Sequence, residues 1–161
     1  MRRRSSFLLG LPLALGLTAS CANPVHSDAV DALGPEVGER PGPTHRAGQP
    51  CMTCHGGDGP GPDFAVAGTV YEVRDGATAL EGVQVVLSDS AGQTQTLVSN
   101  QVGNFYMRAQ EWTPTYPMFA KLEYQGTEKP MTTRIGRTGG CADCHRSGVA
   151  KKMPGVYLRE Q

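Results

Sequence analysis

From Phe64 onward, apolar residues come in short bursts and not at helical spacing. Val66, Gly68, Val70 and Glu72 alternate with Ala67, Thr69, Tyr71 and Val73 before Asp75-Gly76 supplies a turn, the period-two pattern of a strand. Val83 to Leu87 is a second run, closed by Asp89-Ser90-Ala91-Gly92; Thr94 to Ser99 is a third, and Asn104 to Met107 a fourth after Gly103. Met118 to Tyr124 gives a fifth, ended by Gln125-Gly126, and Met131 to Ile135 reads as a sixth. No window sustains an apolar repeat at i, i+3 and i+4. Strand-like runs spaced by roughly ten residues predict a mainly β chain, folded as a small β-sandwich of the seven-stranded type.

The N-terminal third carries a different pattern. Arg2, Arg3 and Arg4 precede an apolar stretch from Phe7 to Leu17 and a small-residue exit at Thr18-Ala19-Ser20, the layout of an export signal. The stretch is shorter than the ~20 residues that a membrane-spanning helix needs. Leu17-Thr18-Ala19-Ser20-Cys21 resembles a bacterial lipoprotein signal, although its aliphatic residue stands four places before the cysteine and not three. That resemblance implies lipidation of Cys21, membrane attachment through the lipid, and a place in the cell envelope as a periplasmic or outer-membrane lipoprotein. The competing reading leaves Cys21 as a spare thiol near an ordinary cleavage point. Residues 22–50 hold five Pro and four Gly with almost no apolar periodicity, a composition that suits a flexible tether. The expected organisation is therefore a signal peptide over 1–20, a lipid-anchored tether over 21–50 and a folded domain over 51–161.

Without the leader, 12 Lys and Arg stand against 15 Asp and Glu, a net charge near −3. No basic field exists for nucleic acid.

Apart from Cys21, the cysteines fall into two identical frames, Cys51-Met52-Thr53-Cys54-His55 and Cys141-Ala142-Asp143-Cys144-His145. Two C-x-x-C-H frames in an exported chain point to c-type haem attachment. Two thiols three positions apart can each take one haem vinyl group, and the next histidine lies under the iron. Zinc competes, but paired structural knuckles are usually separated by ~15–20 residues, whereas 86 lie between Cys54 and Cys141. Disulfides give no reason for a histidine after each pair, and a thioredoxin-like pair needs a βαβ setting that is missing from the pattern. Through its two frames the chain resembles dihaem c-type cytochromes. The resemblance implies two covalently bound haem c groups, held by Cys51, Cys54, Cys141 and Cys144, with His55 and His145 as proximal ligands. For the distal positions the candidates are His45, six residues before Cys51; His26; and Met153, in a Met-Pro pair that looks like the one in class I cytochromes c.

The runs Gly68-Thr69-Val70, Gly82 to Leu87, Thr94 to Ser99 and Gly103-Asn104-Phe105 resemble the carboxypeptidase regulatory-like domains over residues 65–135. That implies a transthyretin-like sandwich in which the first and late strands share a sheet. The two frames bracket this module, so they are expected to meet near one edge of it. The glycine-rich stretch Gly56 to Pro62 lacks the Lys-Ser/Thr of a phosphate loop; it suits backbone lying close against a flat group. Trp112 is expected to cover either the sandwich or a haem edge. Taken together, the expectation is an exported dihaem electron carrier, not an enzyme, serving redox partner proteins of the cell envelope. The alternatives are a haem enzyme or sensor with an open iron and peroxidase-like activity, and a haem-free β-sandwich binding module.

Overall fold

The computed structural model describes residues 24–36, 41–57, 59–146 and 148–160; the basic leader and Cys21 lie outside them. Seven strands form: β1 (Phe64–Val73), β2 (Gln84–Ser88), β3 (Thr94–Val98), β4 (Asn104–Arg108), β5 (Phe119–Tyr124), β6 (Thr127–Pro130) and β7 (Val156–Arg159). One sheet has the order β4-β1-β7 and the other β3-β2-β5-β6. Two helices, α1 (Pro24–Asp31) and α2 (Met52–His55), and a 3-10 turn at Cys141–Asp143 complete the described elements. The result is the mainly β sandwich that the alternating runs predict.

Alternation decides which faces meet. Val85 and Leu87 of β2 are buried beside exposed Gln84, and they pack with Leu97 of β3 and Leu122 of β5. Val66 and Val70 of β1, Phe105 of β4 and Leu158 of β7 supply the other half of the same cluster. Burying a side chain of this kind stabilises by about 1.5–3 kcal/mol, so the cluster dominates the fold's stability. Trp112 joins it, 4% exposed, with its indole N–H donating to Gln93 Oε1 at 3.1 Å; it covers the sandwich.

β1 departs from the one-sided pattern. Its residues from Val66 to Val70 are all buried, because both of its faces are covered. Val66 and Val70 face the core, whereas Ala67 and Thr69 face the other way. There Thr69 pairs with Asn104 of β4, donating to its Oδ1 at 2.7 Å. Residues 41–50 lie over this outer face. The Gly48 N–H donates to Thr69 Oγ1 at 2.8 Å, and Asn104 Nδ2 donates to the His45 and Pro43 carbonyls at 3.0 and 3.3 Å.

Four features differ from the sequence reading. The 131–135 stretch is not a strand: Ile135 forms an isolated bridge to Met118, and the Met131 N–H donates to the Ala120 carbonyl at 2.8 Å. The strand after β5 comes earlier, because Gln125 and Gly126 both take positive φ, 47° and 79°, and close a two-residue hairpin between Tyr124 and Thr127, the geometry of a type I′ turn. β7, beyond residues 65–135, pairs parallel with β1, whereas the late strands β5 and β6 lie in the other sheet and not beside β1. Finally, the tether reading for 21–50 meets a helix at 24–31 and a docked segment at 41–50. Pro and Gly suit tight turns as well as tethers, and the buried Thr69 and Asn104 supply the partners that hold those turns.

Candidate functional site

The two C-x-x-C-H frames fold into the same turn. The N–H groups of Cys54 and His55 both donate to the Cys51 carbonyl, at 3.1 and 3.0 Å. Those of Cys144 and His145 both donate to the Cys141 carbonyl, at 3.2 and 2.8 Å. In a helical turn, residues i, i+3 and i+4 share a side. The first frame gathers both thiols and the imidazole around one cavity; in the second, Cys141 and His145 share a cavity while Cys144 is exposed and outside its lining.

Each imidazole is then oriented by the chain that follows. His55 Nδ1 donates to the Pro62 carbonyl at 2.7 Å, and His145 Nδ1 donates to the Pro154 carbonyl at 2.9 Å. A carbonyl only accepts, so the proton sits on Nδ1 and Nε2 keeps its lone pair, the tautomer of a metal-ligating histidine. His55 is 8% exposed. Its ring stacks on Phe64 at 4.1 Å between centroids, and Phe64 stacks on Tyr106 at 4.7 Å. Gly61 lies so close that a Cβ there would overlap the imidazole, and one at Gly59 would overlap the Cys54 carbonyl. The glycine-rich loop is thus wrapped on the first frame itself.

A cavity opens beside each frame. The first, of 580 Å³, is lined by Cys51, Cys54, His55, His45, Phe64 and Tyr106 among others. The second, of 480 Å³, includes Cys141, His145, Thr69, Tyr71, Arg146 and Val156 in its lining. Both have the size of a small-molecule or cofactor site. Cys144 is exposed.

The frames lie side by side against β1. The Ala67 N–H donates to the Gly139 carbonyl at 3.0 Å, and Ala67 bridges to Gly140. Cys141 packs against Gly68, where a Cβ would come within 2.8 Å of both Cys141 Cβ and Phe105 Cζ. Met52, inside the first frame, approaches Gly140, just before the second: a Cβ on Gly140 would lie 2.7 Å from Met52 Cγ. The thiols feel this crowding. Burial pushes Cys51 up to about 11, with the Asp143 and Cys54 charges adding to it. Cys141 is pushed up to about 12 by burial first and then by Cys51 and Asp143. Both stay protonated at neutral pH, the opposite of a thioredoxin-type thiol.

The three distal candidates separate. His45 lines the first cavity, with its ring centroid 5.9 Å from that of His55 at an interplanar angle of 49°. His26 is half-buried on α1, which neighbours α2. Met153 is held at the flank of His145: its N–H donates to the Cys144 carbonyl and its carbonyl accepts from the Arg146 N–H, both at 2.8 Å. Paired in this way, Met153 stands beside the imidazole and not across from it, and its side chain is exposed. The segment that holds Met153 also contributes the Pro154 carbonyl to His145. The sequence reading missed the carbonyls of Pro62 and Pro154. A visible signal existed, since each frame is followed by glycine and then proline, which lets the chain return to its imidazole.

Among the described residues, no group of three or more His, Cys, Asp or Glu side chains is placed to hold a metal ion. A bare ion would need such a group, whereas a haem iron needs only axial ligands from the protein. No helix of the described residues is long and apolar enough to cross a membrane. Comparison of the chain with protein-family models, with curated proteins and with solved structures finds no match.

Proposed function

We propose that the chain is an exported dihaem c-type electron carrier of the cell envelope. The observation that carries the reading is the repeated construction. Two C-x-x-C-H turns share one backbone hydrogen-bond pattern, each imidazole is fixed by an Nδ1–H bond to a proline carbonyl, and each imidazole lines its own cavity, beside Cys51 and Cys54 in the first and beside Cys141 in the second.

The residues fit the group that the frames imply. Cys51 and Cys54 would hold one haem and Cys141 and Cys144 the other, with Nε2 of His55 and of His145 as the axial nitrogens. When bound, the haems supply one-electron Fe(III)/Fe(II) chemistry, with no bond made or broken in a substrate. The chain's own part is orientation and exclusion of water. The Pro62 and Pro154 carbonyls hold the imidazoles and raise their basicity, which favours the oxidised state. Phe64, Tyr106 and the docked 41–50 segment wall the first site. Because both frames rest on neighbouring residues of β1, electrons would have a short path between them. The leader and Cys21 would export the chain and tie it to a membrane by lipid, where it would meet redox partner proteins.

Expression of the full chain with a c-type maturation system tests this. Haem staining after denaturing electrophoresis, with intact mass, should show two covalent haems per chain. No covalent haem would leave the binding-module alternative.

A further inference from the structure

The first cavity has two walls of unequal firmness. One belongs to residues 41–50, which the sandwich itself holds: Asn104 Nδ2 donates to the His45 carbonyl at 3.0 Å, Asn100 Nδ2 to the Pro43 carbonyl at 2.6 Å, and the Gly48 N–H to Thr69 Oγ1. The other is made by Leu33 and Glu36, just beyond α1, which line the same space as Cys51 and Cys54. That stretch has no share in the hydrophobic core. α1 buries none of its residues, and Val25 stands 75% exposed on it.

One side chain joins the two walls. Arg46 Nη2 donates to the Gly34 carbonyl at 2.6 Å, and its Nη1 donates to the Leu33 carbonyl at 3.4 Å and to Gln49 Oε1 at 2.9 Å. Its Nε lies 3.4 Å from Glu36 Oε1, with 21% and 22% of the two side chains exposed. A guanidinium is a rigid fork of five donors, so one residue can hold two carbonyls, an amide oxygen and a carboxylate at once. Arg46 also takes a φ of 50°, a left-handed conformation that residues other than glycine seldom adopt. Such strain persists where the surroundings over-determine it, and it gathers at clamps and switch regions. The second frame has no such cover: Cys144 is exposed, and none of residues 24–36 lines its cavity.

We propose that residues 24–36 form a movable wall over the first C-x-x-C-H frame, and that Arg46 is the latch that sets how often its two thiols are open to a bulky molecule. With the latch made, Leu33 and Glu36 stay against the cavity. With it broken, a stretch that has no buried core swings clear by local opening, at a cost far below that of unfolding the sandwich. Arg46 is a positioning residue, acting through the wall and not on the thiols. What enters the cavity rests on the dihaem reading; the latch itself does not, and it governs the first frame only.

Pulse labelling of the reduced full chain, before any haem is attached, tests the latch. The probe is fluorescein maleimide, which is bulky and flat, and tandem mass mapping reads each cysteine separately. In wild type Cys144 should label first and Cys51 and Cys54 slowly. Arg46→Ala removes three hydrogen bonds and an ion pair; it should speed Cys51 and Cys54 at least about tenfold and leave Cys141 and Cys144 as they were. Arg46→Lys keeps the charge without the fork and should fall between. Unchanged labelling of Cys51 and Cys54 in Arg46→Ala would overturn the proposal. Glu36→Ala breaks only the ion pair and should speed the same two thiols roughly two- to fivefold. It decides the matter if Arg46→Ala loosens the whole sandwich, which a matching rise at Cys141 would reveal; no rise in Glu36→Ala would then overturn the proposal. Because labelling precedes haem attachment, its outcome stands apart from the haem count. A chain that matures without covalent haem sinks the dihaem reading and leaves the latch in place, and two haems with unresponsive thiols do the reverse.

Discussion

His55 and His145 gain their chemistry from atoms that belong to other residues. An imidazole on a short turn can rotate and exchange tautomers; a proline carbonyl at 2.7 or 2.9 Å from Nδ1 stops both. Gly61 makes this possible at the first frame by leaving room for the ring. Gly61→Val should therefore displace the imidazole and destabilise the fold by about 1–3 kcal/mol, as overpacking generally does; urea unfolding of the variant measures it. Asp89 plays a comparable local role away from the frames. Its carboxylate accepts the Thr115 and Gln93 N–H groups at 3.0 and 2.8 Å, and those bonds, the one from Thr115 foremost, hold it below the ordinary 3.8. A lowered pKa contributes stability that is present above the unfolded value and is lost as pH falls through the folded one. Asp89→Asn should lower Tm at pH 7, with a gap that closes as the pH drops below 3.8. A gap of equal size in acid would show that the charge is not what matters. At this scale the grouping of two thiols and an imidazole within each short turn was legible from spacing alone. The proline carbonyls were marked only indirectly, by the glycine and then the proline that follow each frame, because a backbone acceptor leaves no mark in side-chain identity.

Among the elements, β1 does two jobs. Val66 and Val70 close the core, while Ala67, Gly68 and Thr69 receive the docked segment and the second frame. On the core side, Leu87→Ala on β2, 1% exposed in the wild type, should cost about 2–5 kcal/mol, read from chemical denaturation. On the outer side, Asn104→Ala removes the side-chain donor that holds residues 43 and 45. It should cost about 1–3 kcal/mol for the buried acceptors it leaves, and should open the 41–50 segment to limited proteolysis ahead of the sandwich. Most strands were visible because one face is buried and alternation survives. β6 was missed because Thr127 to Pro130 is polar and edge-placed, with only the Gln125-Gly126 turn to betray it. β7 was missed because four residues give too short a pattern and their partner is β1, 86 positions away. The 41–50 segment was misread because its composition reports local propensity, whereas its order comes from distant Thr69 and Asn104.

For the whole molecule, a sandwich of short strands carries two C-x-x-C-H frames beside one strand, and its described core is modest in size. Two covalent haems would each bury a large apolar ring against Phe64, Tyr106 and the neighbouring cavity walls, and would cross-link their turns. The haem-free chain should therefore melt below the matured one, which parallel calorimetry of both forms checks; equal Tm values would mean that the haems add nothing to the fold. The central claim is that both C-x-x-C-H frames attach haem, and one measurement meets it directly: the number of covalent haems per chain by intact mass after c-type maturation. Two in wild type, one when Cys141 and Cys144 are both replaced by Ala, and none when all four are replaced is the result the account predicts. A wild-type chain that matures without covalent haem, while a known c-type protein expressed alongside it is loaded, would contradict it.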